Sequence, residues 1–269
     1  MRSWKNKRRR SSGVKLAILL VAYLSQVQPL APGAVRAGDR REASPIAPAL
    51  VKAIRDADSQ AVRELIEDGA DVDARDAEGN TPLILASFHA SPKCVATLLE
   101  KGADANAANK VGVTALIRAA ANFEKTLLLV NAGASVQVRS ADLGNTPLIL
   151  AARRAGNSRA VKLLIERGAE ATERDDAGVS PIMSGAASGD LETVRFLLDA
   201  GAKADDFPRS NGPRADAAAG FRTPLMWAAY RNDVRMVRLL LERGADPNRS
   251  TYFGNPLSQA CSGRLRHDG

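Results

Sequence analysis

Side chains able to do acid–base, nucleophilic or metal chemistry are scarce in this chain and poorly placed for it. The two histidines are His89 and His267, and the two cysteines are Cys94 and Cys261. An active site needs an acid, base, nucleophile or metal ligand converging on one point. His89 is expected in a turn between helices and His267 in the tail, so neither has a partner in sequence. A conventional zinc site takes four nitrogen or sulfur ligands, and with so little His and Cys in the chain none is expected. No glycine-rich phosphate loop and no serine-elbow motif occurs. Asp71, Asp73 and Asp76 form a carboxylate run, but the ligand spacing of a helix–loop–helix calcium site is not met. An Asp-rich stretch recurs along the chain, so this run reads as a turn. The sequence therefore predicts no catalytic residue, no cofactor and no metal ligand.

Charge excludes a second class. The chain has 38 basic and 30 acidic side chains and a formal charge of +8. Residues 1–37 hold eight basic side chains and no acid, so residues 38–269 are formally neutral. Nothing basic is left to neutralise phosphates, and no nucleic-acid binding is expected. The basic segment itself reads as a secretory signal peptide. Lys5 to Arg10 form its charged start, and Val14 to Leu24 its apolar stretch, interrupted by Lys15. Val35-Arg36-Ala37 places small residues at the −3 and −1 positions of a cut after Ala37. Pro29 and Pro32 end the apolar run well short of the ~20 residues a membrane span needs, so no membrane span is expected after cleavage. The Ala- and Arg-rich composition and the long charged start point to a bacterium with GC-rich codons. The expected location is then the periplasm or outside the cell.

What remains must be a frame that positions binding groups, and its plan is repetitive. Thr81-Pro82-Leu83 recurs as Thr114-Ala115-Leu116, Thr146-Pro147-Leu148, Ser180-Pro181-Ile182 and Thr223-Pro224-Leu225. A second pair trails each: Gly102-Ala103, Gly133-Ala134, Gly168-Ala169, Gly201-Ala202 and Gly244-Ala245. The threonine can accept from free N–H groups at a helix start, and proline fits the first turn, where its missing donor costs nothing. Leu83, Leu85 and Ala86 load one face of that helix. Val95, Leu98 and Leu99 form the apolar stripe of a second helix, which Gly102 ends.

This spelling resembles the ankyrin repeat, and the resemblance runs from residue 45 to about 266. It implies an all-α fold: an ankyrin-repeat solenoid of helix-turn-helix units with short hairpin-like turns between them. The expected units are 45–75, 76–108, 109–140, 141–174, 175–218, 219–249 and a truncated 250–269. Residues 38–44 are a linker and 267–269 a tail. The leading unit lacks Thr-Pro-Leu and presents Pro48, Arg55 and Glu67, as an end cap should. The family usually has His after Thr-Pro-Leu; here Ile84, Ile117, Ile149, Met183, Met226 and Ser258 stand there, so apolar packing must replace the imidazole's hydrogen bonds. The third unit is two residues short, which is expected to squeeze its inter-helix turn, and the fourth has one extra residue at Ala155. About ten extra residues within 203–222 read as a loop, with Asp206-Phe207-Pro208 at its start. Cys94 and Cys261 lie five units apart, about 40–50 Å at the spacing of stacked helices. A disulfide needs Cα atoms within about 7 Å, so none is expected between them.

Solenoids bind through an extended concave surface. The exposed ends of the first helices read Phe88 and His89, Ala121 and Asn122, Arg153 and Arg154, Ala187 and Ser188, then Tyr230 and Arg231, with Trp227 one turn earlier. Aromatic and arginine side chains anchor interfaces. The sequence therefore nominates Phe88, Arg153, Arg154, Trp227, Tyr230 and Arg231 as protein-binding residues of a monomeric module whose partner is another protein. The alternative from the same features is a structural or self-associating component of the cell envelope.

Overall fold

A computed structural model describes residues 45–207, 222–251 and 254–264. The signal-peptide and linker readings, most of the expected loop and the tail lie outside the described residues. Residues Ala43–Gly269 form one compact unit, and no helix among the described residues is long and apolar enough to cross a membrane.

Thirteen helices are described, in pairs. The first members are α1 (Pro48–Arg55), α3 (Pro82–His89), α5 (Ala115–Ala119), α7 (Pro147–Ala152), α9 (Pro181–Ser188) and α11 (Pro224–Tyr230). The second members are α2 (Ser59–Glu67), α4 (Pro92–Glu100), α6 (Phe123–Asn131), α8 (Ser158–Glu166), α10 (Leu191–Asp199) and α12 (Val234–Glu242). The last helix, α13 (Pro256–Arg264), packs on α11. First helices stack on first helices and second on second, which makes an inner row and an outer row.

The capping chemistry is visible bond by bond. Thr81, Thr114, Thr146 and Thr223 accept through Oγ1 from the N–H groups of Ile84, Ile117, Ile149 and Met226 at 3.2–3.4 Å. Ser180 stands at the same place in α9 but makes no such bond, and its buried Oγ has no partner. Four of the outer helices use Asp58, Asn122, Asp190 and Asp233 instead. At the far end of α4, Gly102 takes a φ of +89°, open to glycine at little cost. This lets Ala103 donate back to the Leu98 carbonyl at 3.0 Å.

Between units the chain turns through hairpin-like tips that are hydrogen-bonded to each other. Lys110 donates to Glu78 O, Ala141 to Val111 O and Asp176 to Leu143 O, at 2.9–3.1 Å. Asp71 and Asp76 accept backbone N–H groups inside their own turns, and Asp73 accepts from Asp104 of the next unit. These carboxylates serve the backbone. Ile84, Ile117, Ile149, Met183 and Met226, standing where the family has histidine, are all buried.

Two sequence readings need correction. The short third unit keeps a three-residue inter-helix connection and loses length from α5, which has only five residues against eight in α3. Asn122 must stay free of the helix to cap α6, so the helix gives way rather than the turn. His89 is the last residue of α3 and not part of a turn. The extra residue of the fourth unit falls, as expected, in the connection between α7 and α8, where Gly156 has a φ of +77°. Cys94 is buried and Cys261 exposed, and both are free thiols.

Candidate functional site

The inner helices carry one sign of charge. From α3 to the turn after α11, the inner helices and the residues just behind them present Arg118, Arg153, Arg154 and Arg231. They carry no acid before Asp190 and Asp233, which cap outer helices. The facing wall is built by the hairpin tips and is mixed, with Asp76, Glu78, Asp142, Asp175 and Asp176 among Lys110 and Arg139.

Near the N-terminal end of this wall stands Phe88, 59% exposed. His89 meets its ring edge-on with centroids 4.5 Å apart, and the Arg118 guanidinium lies 5.3 Å from the ring centre. A ring held between a cation and an imidazole, yet still open to solvent, has the composition of an interface anchor. The tip of the next unit brings Asp142 towards Arg118. The Ser140 hydroxyl holds the Asp142 carboxyl below the usual carboxylate range, and Arg118 adds to this.

Further along, a cleft of about 490 Å³ opens between α9, α11 and two tips. Its floor is Met183, Ser184, Ala187 and Ser188 of α9, and Trp227 of α11 closes one end. Leu143 and Asn145 come from the tip before α7, and Asp175 through Val179 from the tip before α9. Arg153 spans the two walls and donates to the Asp175 carboxylate at 2.8 Å. That carboxylate is buried and also accepts from Ala177 and Val179, so its charge is fully compensated. Two polar atoms in the lining are not satisfied. Asn145 Oδ1 and Ser184 Oγ are buried without a hydrogen-bond partner among the described residues.

The nominated residues thus separate into groups. Arg153 and Trp227 line the same cleft. Arg154 is exposed beside it. Tyr230 is half-buried, its ring edge-to-face with Trp227 at 6.2 Å, and the Arg222 guanidinium lies over both rings at 4.8 and 4.9 Å. Arg231 stays exposed but lies back along the surface onto the preceding unit: its guanidinium lies over Gly189 and donates to Ala187 O at 3.3 Å. It therefore fastens the sixth unit to the fifth. Phe88 belongs to a different part of the face, three inner-helix steps from α9.

Sequence reading missed Arg118, Asn145, Ser184 and Lys125. Lys125 is 7% exposed, and its ammonium donates to the carbonyls of Ser87 (3.0 Å) and Ala86 (3.5 Å) at the end of α3. Burial pushes the Lys125 amine below the ordinary lysine range, with Cys94 pulling the other way. A signal for it existed in the register. The third residue of each outer helix from α4 on is Cys94, Lys125, Ala160, Thr193 and Met236, all buried. Aligning the units puts a lysine in a core column.

A family model described as Ankyrin repeats matches three times, over residues 50–140, 116–208 and 154–251. The Caenorhabditis elegans protein named ankyrin repeat and KH domain-containing protein mask-1 is 44% identical over 72 residues. That stretch is 26% of this chain and 3% of the relative's length. The crystal structure of the human ASB11 ankyrin repeat domain superposes with a TM-score of 0.66 at 22% identity, covering 82% of this chain and 97% of that one.

Proposed function

This chain belongs to the ankyrin-repeat family, whose repeats suggest a protein–protein interaction module, and we propose that it is a non-catalytic scaffold that holds a partner protein on its concave face outside the cytoplasm. One observation carries the choice of face. The inner wall pairs an exposed aromatic, Phe88, with unbroken positive charge. The outer helices instead close ion pairs among themselves, as in Arg63–Glu100, Lys101–Glu67 and Arg243–Asp199. Arg153 is paired with Asp175, but Arg118 and Arg154 close no ion pair among the described residues, and such cations steer an oppositely charged partner and select against basic ones. The export reading rests on residues 1–37: the basic start, the short apolar run and the Val-Arg-Ala ending.

The test is photo-crosslinking in the native host, with benzoylphenylalanine at Phe88 or Arg154 on the inner wall, or at Lys162 on the outer row. An adduct with one protein of the cell envelope is expected from the first two positions and not from the third. Equal labelling from Lys162 would move the binding surface off the concave face. An adduct formed only with cytoplasmic proteins would overturn the location.

A further inference from the structure

The cleft between α9 and α11 and the arginines on either side of it belong together. Leu143, Val179, Met183, Ala187 and Trp227 give it apolar walls, and its volume of about 490 Å³ is in the range of sites that take in an organic group. The polar groups around it are out of reach or already engaged. Asn145 Oδ1 and Ser184 Oγ lie beneath the surface and expose nothing to it. Ser188 Oγ lies 3.1 and 2.9 Å from the carbonyls of Ala152 and Gly185, and Arg153 donates to Asp175. A polar guest would give up water for groups that have partners. An apolar side chain leaves nothing unpaired and gains the full worth of its burial.

Charge chooses what surrounds that side chain. Asp175 is paired with Arg153, and Asp176 with Arg139. Asp142, next to Leu143, has the Ser140 hydroxyl and Arg118 near it, while Asp190 and Asp233 cap α10 and α12. Two cations have no such counterpart. Arg154, one unit before the cleft floor, and Arg231, one unit after it, are exposed and close no ion pair among the described residues. Arg231 gives one N–H to Ala187 O, which holds its guanidinium over the end of α9. Its other donors are unused among the described residues, and a guanidinium so held suits a carboxylate.

Resting on the concave-face reading above, we infer that this cleft takes a large apolar side chain from an acidic segment of the partner protein, with a carboxylate on each side of it reaching Arg154 and Arg231. Inner helices stack about 8–10 Å apart, and an extended chain advances about 3.3 Å per residue. The two carboxylates therefore belong about three residues before and three residues after the apolar one. A basic segment would set like charge against both arginines and is selected against.

The experiment is selection of a random twelve-residue peptide library, displayed on phage, against the immobilised full chain. Enrichment of peptides with a large apolar residue between two acids, each about three positions away, is expected. In a synthetic peptide of the winning sequence, changing the apolar residue to Ala should weaken binding about ten- to a hundredfold, the worth of burying that side chain. On Ala187→Phe, which fills the cleft, the two peptides should bind alike. Reversing the acid that meets Arg154 to Lys should weaken binding to the wild-type chain and strengthen it to Arg154→Glu. A misfolded variant cannot show that crossed preference. Winning peptides without the pattern, or no enrichment at all, would overturn the inference. If such winners lose binding on Phe88→Ala, the concave face stays the binding surface. If they are indifferent to Phe88→Ala, Arg154→Glu and Ala187→Phe, that reading falls as well. Retention of the free chain on an immobilised copy of itself, competed by the peptide, would overturn the inference by assigning the cleft to self-association.

Discussion

Replacing Lys125 by methionine should make the protein more stable, although it removes two hydrogen bonds. The ammonium is buried and bonded to the last carbonyls of α3, where the helix dipole favours a cation. Burial works against that help and pushes the amine below the ordinary lysine range. Replacing a buried charged group with an apolar one of similar shape is often stabilising by about 1–4 kcal/mol. The lost carbonyl bonds take back part of this, leaving about 1–2 kcal/mol. For a domain of this size that is a rise in Tm of about 2–8 °C. Lys125→Ala also removes the charge but leaves a void where the alkyl stem lay, costing about 2–3 kcal/mol, so it should fall below wild type. The pH dependence has a definite sign. The amine is depressed in the folded state, so between its folded-state value and the ordinary lysine range the unfolded chain holds more protons. Wild-type stability therefore rises with pH across that window. The advantage of Lys125→Met should be full at neutral pH and shrink towards about pH 10. Urea and thermal melts of the three proteins at several pH values measure all of this. If Lys125→Met melts as low as Lys125→Ala, with a gap to wild type that ignores pH, the carbonyl bonds dominate and the reasoning fails.

Gly185→Ala should destabilise by about 1–2 kcal/mol despite the better helix propensity of alanine, because its Cβ would meet Thr193 Cγ2 at 2.9 Å. Thr193→Ser removes that methyl, so the double variant should recover most of the loss in a chemical melt. Cys94→Ser combined with Cys261→Ser should leave oxidised stability within ~2 kcal/mol of wild type, and a non-reducing mass spectrum should show no internal disulfide. N-terminal sequencing of the protein from its native host should begin at Gly38; a cytoplasmic chain still starting at Met1 would refute the export reading.

The repeat was legible because its signals are local. A threonine caps a donor three residues on and a glycine ends a helix a few residues after its apolar stripe, so spacing alone fixes where each helix lies. The fate of individual arginines was not legible. Arg153 finds its carboxylate 22 residues away and Arg231 its carbonyl 44 residues away, and nothing adjacent to either marks the pairing. Phe88 and Arg154 kept their expected exposure, Phe88 despite the Arg118 guanidinium of the next unit 5.3 Å from its ring centre. Tyr230 did not, since Arg222 lies over it. Asn145 and Ser184 escaped notice for the opposite reason. Each looks ordinary in sequence, and only the missing partner makes it informative.

The joints between units have a consequence for how this array can be rearranged. The inner helices α3, α5, α7 and α9 end in carbonyls that the next unit engages, and each of these four joints uses a different side chain: Lys125 on Ser87, Asn157 on Ala120, Ser188 on Ala152, and Arg231 on Ala187. An ammonium, an amide, a hydroxyl and a guanidinium differ in length, charge and required clearance. A unit moved to another position would arrive with the wrong latch: too long for its gap, or too short to reach. Although the parts share one blueprint, their order is written into the contacts, and shuffled arrays of the same units should not interlock.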